Sequence, residues 1–169
     1  MSERSPKVLD LAEAAVLAAR LRKRGKTVVV ANGAFDLLHV GHVRYLAAAR
    51  QLGDVLFVAV NSDDSVRTLK GPHRPVVPQD ERLELLGHLV SVDHLLLFEQ
   101  DTVAAVLQAL RPNIHAKGTD YTQENLPERG IVAGWGGRTA ICGDPKNHGT
   151  SDLVAEILRR FGAAPTSSE

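Results

Sequence analysis

The stretch VVVANGAFDLLHVGHVRYLAAARQL, from Val28 to Leu52, constrains the fold more than any other part of the chain. Val28-Val29-Val30 is a β-branched run of the kind that fills a buried parallel strand. Asn32-Gly33-Ala34-Phe35-Asp36 interrupts it with residues that accept a sharp turn. Gly41 to Leu52 then reads as a helix, with Val43, Leu46 and Ala47 on one face. The quartet His39-Val40-Gly41-His42 falls where that helix begins. A strand that turns into a helix presents unpaired N–H groups and the positive end of the helix dipole. That arrangement suits a phosphate. Two imidazoles at spacing i, i+3 in the first turn can point at the same anion. The stretch therefore reads as a nucleotide-phosphate site.

The same alternation continues along the chain. Strands are expected at Thr27 to Ala31, Asp54 to Val60, Val92 to Phe98, Asn113 to Ala116 and Arg138 to Cys142. Leu9 to Arg24 reads as a first helix, with Val8, Leu11, Ala12, Ala15 and Ala19 at helical spacing. Its basic end, Arg20 to Arg24, reads as solvated charge. Asn61-Ser62-Asp63-Asp64 looks like an N-cap with first-turn acids, opening a short helix to about Leu69. Gln79 to Leu89 is helical, with Leu83, Leu86 and Leu89 on one face, and Asp101 is placed to cap a helix of Val103, Val106, Leu107 and Leu110. Glu124 to Ala133 is ambiguous. Thr150, Ser151 or Asp152 caps the last helix, whose Leu153, Val154, Ile157, Leu158 and Phe161 are expected to face inward. Five strands alternating with helices give an α/β fold, a Rossmann-like doubly wound five-stranded parallel sheet. A chain of 169 residues makes one domain, residues 1–162, followed by a flexible tail, 163–169.

Composition narrows the function. Formal net charge is zero and aromatics are 4%, which argues against the basic, ring-bearing surface that nucleic acid needs. Cys142 is the one cysteine, so there is no disulfide framework, and a reducing cytoplasm is expected. No apolar signal core or membrane-spanning run is visible.

Three loops carry chemistry. Lys70-Gly71-Pro72-His73-Arg74-Pro75-Val76-Val77-Pro78 is stiffened by prolines yet holds cations. Lys117-Gly118-Thr119-Asp120-Tyr121 follows a strand, at the edge where open parallel sheets bind ligands. Gly143 to Gly149 is a second flexible loop. Arg82, a cation in the first turn of its helix, opposes the dipole, which predicts a partner for it.

Asn32-Gly-Ala-Phe-Asp-Leu-Leu-His-Val-Gly-His42 resembles the H-x-G-H signature of the cytidylyltransferase-like nucleotidyltransferases. Lys70-Gly-Pro-x-Arg74-Pro-Val, Lys117-Gly-x-Asp-Tyr121, Gly136-Gly137 and the loop from Lys146 to Ser151 resemble one branch of them. That branch is the D-glycero-β-D-manno-heptose 1-phosphate adenylyltransferases. The resemblance implies that a sugar 1-phosphate attacks the α-phosphorus of ATP and releases pyrophosphate, giving an ADP-heptose for lipopolysaccharide or another surface glycan. It implies that His39, His42 and Lys70 act on the triphosphate. Asn32, Gly33, Ala34, Phe35, Gly41, Lys117, Asp120, Tyr121, Lys146, Thr150 and Ser151 would surround the nucleotide. Asp36, Arg74 and Arg82 would serve the acceptor, an Arg fork matching phosphate oxygens. Mg²⁺ is implied as the companion of ATP, with no protein metal site. Related enzymes are often homodimers.

The chain departs from the branch at Gly149, where relatives carry Ser, and at Ala34, where Cys is common. Three rival readings stand beside the adenylyltransferase. One is a cytidylyltransferase acting on glycerol 3-phosphate or a related phospho-alcohol. The second is a nucleotide-binding module without turnover, with Gly149 as its lesion. The third is a zinc site from Asp36, His39 and His42, which lacks an obvious fourth ligand.

Overall fold

A computed structural model of the chain describes residues 7–122, 128–144 and 149–162. Lys146, the tail from Ala163, and residues 124–127 of the ambiguous stretch lie outside the described residues. The strands are β1 (Val28–Gly33), β2 (Val55–Asn61), β3 (His94–Phe98), β4 (Ile114–Lys117) and β5 (Arg138–Ile141). The helices are α1 (Leu11–Lys23), α2 (Val40–Gln51), α3 (Asp63–Lys70), α4 (Gln79–Gly87), α5 (Ala104–Leu110), α6 (Arg129–Ala133) and α7 (Thr150–Phe161). The five strands form one parallel sheet in the order β3-β2-β1-β4-β5. The expected doubly wound α/β fold is the observed one.

Side chains alternate between the two faces of the sheet, as the period-2 pleat requires. Val29, Ala31, Leu56, Val58 and Val60 pack with Leu46 and Ala49 of α2 and Leu83 and Leu86 of α4. Val28, Val30, Phe57 and Ala59 pack with Ala14 and Ala18 of α1 and Val106, Leu107 and Leu110 of α5. The central strands are covered on both sides, which is why they read as unbroken apolar runs. The chain winds outward from β1 in one direction and from β4 in the other, so the topological switch point lies between them. Ligand clefts in such sheets open there, beyond the strands' C-terminal ends.

Several expectations need correction. β1 runs on to Gly33, so Asn32 and Gly33 are its last rungs and the turn starts at Ala34. Val8 bridges Leu95 at the sheet edge instead of riding on α1, whose buried residues are Ala14 and Ala18. Asp10 caps α1 through a reciprocal bond pair with Glu13. Arg22 is not a solvated charge: its guanidinium donates to the Leu110 carbonyl. On α2 the buried pair is Leu46 and Ala49, and Val43 is exposed. Asp101 is not a cap; α5 starts from Val103, with no side-chain cap bond.

The largest correction is α7. It has no buried residue, and Leu153, Ile157, Leu158 and Phe161 are all exposed. Its N-cap is Gly149, with no side-chain cap bond. Thr150 instead donates its hydroxyl to the Asp36 carbonyl, 2.8 Å away. The amphipathic pattern was real, but this helix does not lay its apolar face on the core. No helix among the described residues is long and apolar enough to cross a membrane.

Gly53 shows how tightly the α2–β2 corner is packed. A Cβ there would lie 2.6 Å from Val29 Cγ2 and 2.7 Å from the Thr27 carbonyl oxygen. Gly53→Ala is expected to destabilise the chain by about 1–3 kcal/mol, the usual cost of forcing a methyl into a filled core. Urea unfolding at neutral pH checks this; an unchanged midpoint would show that the corner yields.

Candidate active site

A cleft of about 720 Å³ opens at the C-terminal ends of the strands. Gly33, Asn61, Phe98, Lys117 and Cys142, at or just beyond the ends of β1 to β5, all contribute to its wall. The cleft gathers Asn32, Gly33, Ala34, Phe35, Asp36, His39, Gly41, His42, Lys70, Lys117, Asp120, Tyr121, Thr150 and Ser151 from segments far apart in sequence. Of the residues singled out from sequence, Arg74 and Arg82 are not on its wall.

The turn after β1 is held in an unusual backbone. Phe35 (φ 51°) and Leu37 (φ 49°) are both left-handed, which side-chain-bearing residues adopt at a cost of about 1–3 kcal/mol. Phe35 is buried, with its ring edge-on to His42 at 5.4 Å. The Asp36 carboxylate then fixes the turn from below. It accepts from the Val76 and Val77 N–H groups at 2.9–3.0 Å and from Arg74 Nε at 2.7 Å. These donors outweigh burial and hold its pKa below the ordinary carboxylate range. Asp36 and Arg74 are thus a latch between two loops. The latch also spends the carboxylate that the zinc alternative requires.

His39 caps α2 with its side chain: Nδ1 accepts from the Gly41 N–H at 3.1 Å. His42 Nδ1 accepts in return from the His39 N–H at 3.3 Å. The two rings stack at 3.9 Å. A ring nitrogen that accepts carries no proton, so each imidazole keeps its proton on Nε2. Burial, then the neighbouring His39 and Lys70, push the His42 pKa down to about 4, with Asp36 opposing. The pair therefore presents oriented N–H donors beside the positive end of α2, with His42 uncharged at neutral pH.

Arg82 does have the partners its position predicted, and they replace the acceptor role. It is 1% exposed, donating to the carbonyls of Val77 (3.0 Å), Ala34 and Asn61 (2.9 Å) and to Asp63 Oδ1 (2.8 Å). Its guanidinium joins the ends of β1 and β2 to α3 and α4, behind the cleft. On the far wall, Lys117 is buried, 3.8 Å from Glu128 and 4.4 Å from the centre of the Tyr121 ring. Burial lowers its pKa, while Glu128 and Asp120 oppose.

Sequence reading missed the other end of the cleft. Asn61, Val66, Leu69, Phe98, Asp101, Thr102 and Val103 line it, and Tyr45, Glu128 and Asp144 join the near end. Asp101 and Thr102 lie in the segment between β3 and α5, so the rule that ligands meet strand C-termini pointed to them, but the capping pattern competed for Asp101.

Two outcomes test this geometry. Arg82→Met should lower stability by about 2–4 kcal/mol, because it strands three carbonyls and removes the partner of the half-buried Asp63 carboxylate. Chemical denaturation reads it; a loss below 1 kcal/mol would remove Arg82 as the strut. The second concerns acid. His42 and His115 titrate at about 4 and about 3 in the fold, below the ordinary 6.5. The unfolded chain therefore takes up these protons first, and the stability present above pH 6.5 is lost as pH falls toward 4. Tm measured from pH 7 to 4 should fall, and His42→Gln and His115→Gln should each flatten the slope. Wild-type slopes in both would trace acid sensitivity to other groups.

Comparison with known proteins accords with this site. The pattern of the cytidylyltransferase-like family matches residues 30–146, from β1 into the last loop. The chain is 45% identical over 140 residues to the bifunctional protein HldE of Syntrophotalea carbinolica, covering 83% of this chain and 29% of that one. It is 41% identical over 160 residues to HldE of Pelobacter propionicus, covering 95% of this chain and 33% of that one. The chain thus spans about a third of the length of the curated relatives it matches. Among solved structures, the lipopolysaccharide core biosynthesis protein of Thermoplasma volcanium superposes with a TM-score of 0.60 at 29% identity, over 69% of this chain and 94% of that one. Pantoate-β-alanine ligase of Francisella tularensis, at 16% identity and a TM-score of 0.57, covers 96% of this chain and 81% of that one and shares the fold. With its signature motif at the switch point and the family pattern matched across most of its length, the chain belongs to the cytidylyltransferase-like family.

Proposed function

We propose that this chain transfers AMP from ATP to a sugar 1-phosphate, with heptose 1-phosphate as the acceptor and ADP-heptose and pyrophosphate as products. The observation that carries the reading is the His39–His42 pair: two Nε2–H donors fixed by reciprocal backbone bonds at the start of α2, with Lys70 on the same cleft wall. The HldE relatives and the lipopolysaccharide core biosynthesis protein support the choice of acceptor.

In this reading the nucleotide occupies the end of the cleft framed by Gly33 to Phe35, Lys117 to Tyr121, Thr150 and Ser151. The acceptor enters from the end of Asp101 and Thr102, where a carboxylate and a hydroxyl suit sugar hydroxyls. An acceptor phosphate oxygen forms a bond to the α-phosphorus, the bond from that phosphorus to the bridging oxygen breaks, and pyrophosphate leaves with the electron pair. Such chemistry needs alignment and charge stabilisation more than covalent help. His39 and His42 donate to the phosphoryl oxygens as charge gathers there, and Lys70 neutralises the departing pyrophosphate.

Mg²⁺ accompanies ATP. Among the described residues no three His, Cys, Asp or Glu side chains converge on a metal position. In this reading phosphate oxygens and water would carry the ion, which would help neutralise the triphosphate. A cytoplasmic location, where ATP is supplied, and a homodimer belong to the same reading.

Pyrophosphate release tests it. ATP, CTP, GTP and UTP are each paired with heptose 1-phosphate, glucose 1-phosphate and glycerol 3-phosphate. Release confined to ATP with heptose 1-phosphate is the expected result; release with CTP and glycerol 3-phosphate would move the chain to the phospho-alcohol cytidylyltransferases. Silence with nucleotide binding intact would favour the non-catalytic module, and Gly149→Ser would then show whether the missing hydroxyl is the cause. In the active protein, His39→Ala and His42→Ala should each lower kcat by about two to three decades. Wild-type turnover in both would take the pair out of the mechanism.

A further inference from the structure

His115 lies inside β4, opposite Val30 of β1, in a position where a Leu or Val would fill the core without burying a polar ring. It is 0% exposed. Burial, helped by Lys117, pushes its pKa down to about 3, so it stays neutral. Nδ1 meets no hydrogen-bond partner among the described residues. Nε2 makes the ring's polar contact, 3.0 Å from Asn32 Oδ1. Lys117 Nζ approaches the same oxygen at 3.5 Å.

Two donors on one atom decide which way the Asn32 amide points. An ammonium has protons and no acceptor, so it faces the carbonyl oxygen and not the NH₂. With the oxygen so placed, the imidazole must carry its proton on Nε2. The Asn32 backbone is fixed as well. Asn32 is paired with Ala59 of β2 in the sheet, and the Tyr45 hydroxyl donates to the Ala116 carbonyl of β4 at 2.8 Å. Asn32 itself lines the cleft, one residue before the end of β1.

We propose that His115 and Lys117 are positioning residues that clamp the Asn32 carbonyl oxygen from behind, so that the Asn32 NH₂ serves as a donor to a nucleotide phosphate oxygen. The inference rests on the nucleotidyl-transfer reading, and it gives a task to a buried polar group that packing alone does not explain.

Calorimetric titration with Mg–ATP tests it, with thermal unfolding run in parallel on every protein. Asn32→Asp puts a carboxylate oxygen where the NH₂ stood, so it should weaken ATP binding more than Asn32→Ala does. His115→Leu should weaken ATP binding about tenfold, the worth of one hydrogen bond to a charged group, while its Tm equals or exceeds wild type. His115→Gln, which can still donate, should recover much of that loss. A role in packing alone would give the opposite pattern for His115→Leu: lower Tm and unchanged affinity. Wild-type affinity in folded His115→Leu, or Asn32→Asp binding as well as Asn32→Ala, would overturn the clamp and leave the nucleotide reading standing. Should His115→Leu not fold, His115→Gln and the two Asn32 variants decide the matter alone. Wild-type protein with no affinity for Mg–ATP would overturn the nucleotide reading and the phosphate role of Asn32 with it.

Discussion

A carboxylate with almost no contact with solvent is the constraint on which this site is built. Asp36 has to be satisfied by the protein, because an uncompensated buried charge costs several kcal/mol. Its compensation comes from Val76, Val77 and Arg74, some forty residues on, while its own carbonyl takes the Thr150 hydroxyl. One residue therefore ties together the turn after β1, the proline-rich loop and the start of α7. The left-handed backbone at Phe35 and Leu37 persists because that turn is held on every side. Arg82 does the matching work from beneath, tying Ala34 to Asn61, Asp63 and Val77. The Asp36–Arg74 and Arg82–Asp63 charges are in this sense framework, while His39, His42 and Lys70 stand on the wall of the cleft.

This division accounts for what sequence could and could not disclose. The order of strands and helices, the cleft at the switch point and the importance of the His39–His42 turn were legible, because each depends on local pattern: β-branched runs, turn residues and helical spacing. Arg82 was legible in part. Its awkward place in the first turn of α4 announced a partner, but the partners are backbone carbonyls on other strands, which no side-chain pattern reports. Asp36 and Arg74 were both singled out, yet their contact with each other was not visible. His115 is a core histidine, and its Nε2 contact with Asn32 appears only when β1 and β4 are paired.

The misjudged faces have a common cause as well. Periodicity shows that a helix has an apolar side, but not whether anything covers it. For α1 the buried stripe lies on Ala14 and Ala18, which weigh little in a hydrophobic pattern, and for α2 it runs through Leu46 and Ala49, while Leu11 and Val43 stay exposed. For α7 the stripe is strong and lies open. Asp101 failed differently: an acid before an apolar helix has two meanings, cap and ligand, and only the position of β3 separates them.

The open stripe of α7 also bears on how the chain behaves in bulk. Its formal charge sums to zero at neutral pH, so molecules meet there with little mutual repulsion. Leu153, Ile157, Leu158 and Phe161 then form the adhesive part of an otherwise balanced surface. That stripe lies on a helix that adds little to the core. Moving the solution away from neutrality, or placing one charge on that stripe, changes how the molecules crowd together without touching the sheet that holds the site.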